Sequence, residues 1–192
     1  MNATGERDIL FCMKKILALI AVVLLVVFGA YMVWRETAHA PAPLTSGQEY
    51  TSESISFVYG DAYALTSRSD SFEGNPVTVL NITDKDVIIP DYSEGPVSMA
   101  VLAVKNPSET ALEAWVKTKS ISNFELSMDK NLTATTVGGK PGLAYTYSGL
   151  YENDAVAVAH DGAVYLFFVS WIDAESPMRA DFQTLLKSVT FK

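Results

Sequence analysis

The chain opens on an unbroken apolar run and then changes character. Ile16–Trp34 holds no charged side chain. At about 1.5 Å per residue, a helix over this run reaches roughly 28 Å, close to the hydrocarbon thickness of a bilayer. It is apolar on every side, unlike the one-sided pattern of a helix on a soluble domain. The next stretch, "ETAHAPAPLTSGQE" (36–49), is rich in Pro, Ala, Ser and Thr and reads as an extended tether. From Tyr50 the pattern becomes regular. In "SISFVYG" the residues Ile55, Phe57 and Tyr59 alternate on one face, which predicts a half-buried strand. "YALTS" (63–67) predicts a short second strand. "PVTVLNIT" and "VSMAVLAV" are further β-rich runs, separated by a long connection, "DKDVIIPDYSEGP".

Two helices stand out. In "NPSETALEAWVKTK", Asn106 is placed to cap, Pro107 suits the first helical position and Glu109 completes a capping box. Leu112, Trp115 and Val116 make its apolar stripe, and Glu113 precedes Lys117 by four residues in the favourable order. In "SPMRADFQTLLKSVTF", Ser176 is the expected cap, Pro177 the first turn, and Met178, Phe182, Leu185, Leu186 and Val189 the buried stripe; Val189–Phe191 is an expected short terminal strand. Between the helices, Gly138–Gly142 reads as a turn joining strands "TATTV" and "LAYTY". It lacks the Gly-Lys-Ser/Thr spacing of a phosphate loop. Asp161-Gly162 is a favoured two-residue hairpin turn. After it, Tyr165, Phe167, Val169 and Trp171 point one way and Leu166 and Phe168 the other, so the strand is expected to be central and covered on both faces.

The predicted fold class is therefore α+β, an antiparallel β-sheet flanked by helices and preceded by one N-terminal transmembrane helix. The segments are a short cytoplasmic N-terminus (1–15), the transmembrane signal anchor (16–34), the tether (35–49) and an extracytoplasmic α/β domain (50–192). With "SISFVYG" opening, "NPSETALEAWVKT" in the middle, "TVGGKPGLAYTY" before the long hairpin and "FQTLLKSVTF" closing, the domain resembles the PsbP-like α/β/α sandwich. That group includes the photosystem II extrinsic protein and DcrB-type bacterial lipoproteins. Many relatives open with an aromatic strand ending in Tyr-Pro and then an aromatic; here Gly60 stands where that proline would be, and Tyr63 is the candidate aromatic. The resemblance implies the sandwich fold and an extracytoplasmic or lumenal accessory role. It brings no catalytic set and no metal ligands, and no transit peptide supports a plastid role.

Charge sets topology. Lys14 and Lys15 precede the apolar run; after Arg35 and Glu36 no cation appears until Arg68. The positive-inside rule places the N-terminus in the cytoplasm of a bacterium and the domain outside, on a single-pass anchor in the cytoplasmic membrane. Cleavage is the alternative, giving a secreted domain. Ala38-His39-Ala40 has the A-x-A form but precedes Pro41, and a cut after Gly29 would release an apolar end. Met13-Lys14-Lys15 reads as the natural start, with Met1 the alternative initiator. The net charge is −8 and the acidic excess lies almost wholly after Arg35, which disfavours nucleic acid as a partner.

Candidate chemistry is sparse. There is one cysteine, Cys12, ahead of the apolar run, so neither a disulfide nor a lipobox is available. Of the two histidines, His39 lies in the tether and His160 at a strand end, and one histidine alone builds neither a triad nor a metal centre. No nucleophile elbow occurs. Asn81 and Asn131 are sequons that matter only in a glycosylating host. The connection around Val87-Ile88-Ile89 places Asp84, Asp86, Asp91 and Glu94 together as a cation- or partner-binding loop; the bland alternative is a solvated hairpin tip. No catalytic residue, cofactor or dedicated metal set is assigned. The expectation is a membrane-tethered binding or accessory domain with an unidentified protein partner and no enzymatic activity. An envelope-complex structural subunit is the second reading, and a hydrolase the least favoured.

Overall fold

The computed structural model describes residues 47–87 and 95–192. The expected anchor, and the tether up to residue 46, lie outside the described residues. Among the described residues no helix is long and apolar enough to cross a membrane. The elements in chain order are β1 (Gly47–Thr51), β2 (Ile55–Gly60), β3 (Tyr63–Phe72), β4 (Asn75–Asp84), β5 (Met99–Lys105), α1 (Leu112–Thr118), β6 (Thr133–Val137), β7 (Lys140–Ser148), β8 (Glu152–His160), β9 (Ala163–Trp171), α2 (Pro177–Ser188) and β10 (Thr190–Phe191). Two single 3₁₀ turns, Ser120–Ser122 and Phe124–Leu126, follow α1. β1 is the first element among the described residues, so the last residues read as tether are paired strand, Gly47 opposite Gly60.

The strands form two antiparallel sheets, where the sequence pattern suggested one. A large sheet has the order β3-β4-β5-β9-β8-β7-β6, and a small sheet the order β1-β2-β10. The chain leaves the small sheet at Asp61-Ala62, because Ile55, Phe57 and Tyr59 of β2 point into the core against the large sheet. They share one buried cluster with Val101, Val156, Phe167 and Val169 of the large sheet and with Phe182 and Leu185 of α2. One face of the large sheet is thus covered by the small sheet and α2 together. The stripe expected for α2 is buried as predicted. Its last residue, Ser188, closes the layer: Val58 N–H donates to Ser188 Oγ at 2.8 Å, after which β10 pairs Thr190 with Ser56.

β9 is the fourth of the seven strands, flanked by β5 and β8. Its two-faced apolar pattern has the expected cause. Tyr165, Phe167 and Val169 enter the cluster under α2, and Val164, Leu166 and Phe168 enter a second cluster under α1 with Trp115, Val116 and Phe124. The β8–β9 turn has positive φ at Asp161 (46°) and Gly162 (67°), as a type I′ hairpin demands. The β6–β7 turn uses only Gly138 (55°) and Gly139 (73°), while Lys140, Pro141 and Gly142 belong to β7.

Two expectations fail locally. α1 begins at Leu112, not beside Asn106. Asn106 is buried and folds the chain into a closed loop instead: its Nδ2 donates to Thr110 O at 2.9 Å and its Oδ1 accepts Thr110 N–H at 3.2 Å. Glu109 takes a positive φ of 48°, incompatible with a helical first turn. The Glu113–Lys117 ion pair does form, at 2.6 Å. β3 runs the ten residues Tyr63–Phe72, twice the expected length, and returns through a Glu73-Gly74 turn into β4. Its second half, "SRSDS", is polar on both faces and exposed, so no hydrophobic alternation announces it.

Candidate functional site

The two faces of the large sheet are covered unequally. α1 and the 3₁₀ turns lie over β9, β8 and β7, where Trp115, Val116 and Phe124 meet Leu166, Ala157 and Tyr145. At one end of β4 and β5, Val77 and Val104 join the same cluster; past them this face is open over β3, β4 and β5, and a groove of about 640 Å³ occupies that space. This volume is within the range of small-ligand sites. The side chains follow from register. Thr66, Asn81, Ala100 and Phe168 are cross-strand neighbours in one row, and Arg68, Val79, Leu102 and Leu166 in the next. Ala100 is small where its strand neighbours Met99 and Val101 are large and face the other way, so β5 contributes depth on this side and packing on the other.

The floor is apolar: half-buried Val79 and Leu102, with Phe168 buried at its edge. The rim is polar. Asn123 sits between the 3₁₀ turns with φ 57° and ψ 13°, a left-handed position that asparagine tolerates. Its Nδ2 donates to Tyr147 Oη at 3.3 Å. Burial pushes the Tyr147 phenol above its ordinary range. Asn153 donates through Nδ2 to Tyr151 O at 2.7 Å. Ser170 Oγ donates to Ser98 O and accepts Ser98 N–H, each at 3.1 Å. On the β3 wall Arg68 and Asp70 stand 3.9 Å apart, both well exposed. Their charges cancel, so the groove offers amides and hydroxyls around an apolar floor with little net charge.

None of these residues was singled out as a site from the sequence. The β-rich run of β5 was visible, but nothing in the pattern told how far along β5 the cover from α1 extends. The described start of the acidic connection, Asp84–Val87, sits at one end of the large sheet. Asp84 closes β4 opposite Tyr63, and its Oδ1 accepts the Asp86 N–H at 2.8 Å. Lys85 Nζ donates to Asp61 O at 2.7 Å. Asp91 and Glu94 lie outside the described residues. Among the described residues no group of three His, Cys, Asp or Glu gathers as a metal site. Next to Asp84, the buried Tyr63 hydroxyl donates to Asp181 Oδ2 at 2.6 Å; burial first, then this bond and the charges of Asp181 and Asp84, raise its pKa far above the ordinary phenol range. This pair locks α2 to the start of β3. His160 decorates a strand end as expected, its Nε2 3.1 Å from Lys192 O and its ring packed on Phe191.

No protein-family description matches the chain, and no curated protein does. A solved structure does: the solution structure of cyanobacterial PsbP (CyanoP) from Synechocystis sp. PCC 6803, with a TM-score of 0.53 at 14% identity, over 79% of this chain and 95% of that one. The fold is PsbP-like. The arrangement read from the sequence is thereby confirmed at the level of fold.

Proposed function

We propose that the protein is a membrane-anchored, extracytoplasmic binding or accessory domain that works through the groove on the α1 face of its large sheet. The supporting observation is the groove itself: a concave site of small-ligand size with an apolar floor and convergent amide and hydroxyl groups. Anchor and orientation rest on the uncharged run Ile16–Trp34 behind Lys14 and Lys15. The PsbP-like fold is compatible with an extrinsic role, though a fold alone names no activity.

The test is site-directed photo-crosslinking in cells. A photoreactive residue at Val79 or Leu102, in the floor, is expected to capture a discrete adduct. The same residue at Gln183, exposed on α2 across the sheet, is expected to capture none. Equal labelling at all three positions, or at none, would refute the groove as the working surface.

A further inference from the structure

The outer edge of β3 is unusual. Natural edge strands are commonly short, bulged, or broken by proline or lysine, which discourages pairing with another chain. β6, the opposite edge of the same sheet, follows that rule with five residues. β3 does not. It has ten residues, pairs with β4 in unbroken register from Tyr63 to Phe72, and carries neither proline nor lysine. Residues 66–71 are all exposed.

The register fixes which backbone groups face outward. Phe72 and Asn75 flank the two-residue Glu73-Gly74 turn, so they form a hydrogen-bonded pair, and alternate residues back along β3 face β4. The Lys85 N–H donating to Ala62 O at 3.0 Å continues that series. Leu65, Ser67, Ser69 and Ser71 therefore direct N–H and C=O to the free edge. Two other contacts agree. Gln48 Nε2 reaches the Tyr63 carbonyl at 3.4 Å, and the Ser71 N–H, having no ladder partner among the described residues, donates to the neighbouring Asp70 Oδ1 at 2.8 Å.

We propose that this edge pairs with the β3 edge of a second copy of the chain, antiparallel about a two-fold axis through Ser69. The axis position follows from two independent requirements. Outward-facing residues must oppose outward-facing residues, which holds with Ser69 opposite Ser69 and Ser67 opposite Ser71. The side chains must also be compatible. This register sets Arg68 directly across from Asp70 of the second copy, and Asp70 across from its Arg68, at the closely spaced non-hydrogen-bonded positions where opposite charges stabilise a pair. Shifting the axis to Ser67 or Ser71 keeps the hydrogen-bond pattern but sets Arg68 against Thr66, or Asp70 against Phe72. On the other face the opposed residues are serines, small enough for close approach. In the isolated chain Asp70 holds the Ser71 N–H; in the pair, Ser67 O of the second copy takes that N–H and the carboxylate turns to the guanidinium. Thr66, Arg68 and Asp70 line the groove, so pairing joins two grooves into one concavity with a shared wall.

The experiment is sedimentation equilibrium of the full chain in mild detergent. The wild type is expected to dimerise. Arg68→Asp is expected to raise the dimer Kd by about tenfold or more, because it replaces two attractions by two repulsions. The swap Arg68→Asp/Asp70→Arg is expected to restore the Kd to within about threefold, since it is again self-complementary. Ser69→Pro removes an N–H that β4 does not use and is expected to abolish dimerisation while the thermal transition is kept. If that variant unfolds, the charge swap decides. Association through any other surface, residues 16–34 included, would be indifferent to these substitutions, and such indifference overturns the proposal. A wild type that stays monomeric to hundreds of micromolar overturns it too, leaving β3 as an edge for a strand of a different protein.

Discussion

Phe167→Ala tests the layer arrangement most directly. Phe167 is 0% exposed, lies on the central strand and points into the cluster shared by the small sheet and α2. Val101 and Val156 are its cross-strand neighbours, and Phe57 and Phe182 belong to the same cluster. Truncation leaves a void closed on all sides, so the lost transfer free energy and the cavity term add, to about 3–5 kcal/mol. That is a large fraction of the roughly 5–15 kcal/mol that stabilises a typical domain. For a domain of this size it lowers Tm by roughly 10 °C or more. Phe168→Ala is the control. Its ring faces the opposite way and meets Tyr147 edge-on at 5.9 Å, but it borders the groove, so the space it vacates opens to water. Without the closed-cavity term the expected cost is about 1.5–3 kcal/mol. The assay is urea unfolding of residues 43–192 followed by fluorescence of Trp115 and Trp171. A loss below about 1 kcal/mol for Phe167→Ala would refute its central placement, and equal losses for the two would deny that the α1 face is open beside Phe168.

Gly138→Ala is expected to cost about 1–3 kcal/mol in the same assay, because φ is 55° and a Cβ would stand 2.8 Å from Phe191 Cδ2 and 3.0 Å from Val189 O; Gly139→Ala, with nothing within 4 Å, is expected to cost only the strain of its positive φ, about 1 kcal/mol. The Glu113 carboxyl lies below its ordinary pKa through its hydrogen bond to Lys117, so its small stabilising effect is present above the unfolded carboxylate range and fades as pH falls through the folded value. NMR titration of Lys117→Ala is expected to move Glu113 upward, and an unmoved titration refutes the pair in solution. Protease added to intact spheroplasts is expected to degrade the domain; full protection, or the domain free in the soluble extracytoplasmic fraction, refutes the retained N-in anchor.

What was legible in the sequence was what repeats along it. β2, β9 and α2 each carry a hydrophobic period over enough residues to declare both element and buried face, and the structure buries those faces. Asp161-Gly162 was legible because turn chemistry is local. β3 beyond Ser67 was not, because an edge strand exposed on both sides needs no alternation. The α1 start was misread for a different reason. Asn106-Pro107 with Glu109 satisfies the local rules for a helix N-terminus, but burial of Asn106 and its two bonds to Thr110 outweigh them. The groove was illegible on principle, since it is defined by where a covering element ends.

That ending has a geometric cause. A seven-stranded sheet is about 30 Å across its strands at roughly 4.8 Å spacing. α1 has seven residues, so it is about 10 Å long and only one helix diameter wide. With the 3₁₀ turns it shelters β9, β8 and β7 and one end of β4 and β5, at Val77 and Val104, and leaves the rest of β3, β4 and β5 open. The opposite face has a twelve-residue helix and three extra strands, which leave only a smaller space of about 250 Å³ beside Leu80 and Val101 among the described residues. The cover meets the β3–β4 hairpin at its turn, where Lys119 Nζ stands 2.6 Å from Glu73 Oε2. The open half follows from how little chain, from Asn106 to Leu132, lies between β5 and β6. Val79 and Leu102 stay half-buried there, beside a strand edge that no described residue pairs along Ser67–Ser71, and those two exposures adjoin on the same side of the sheet. A surface built this way gains most from an occupant that covers floor and edge together.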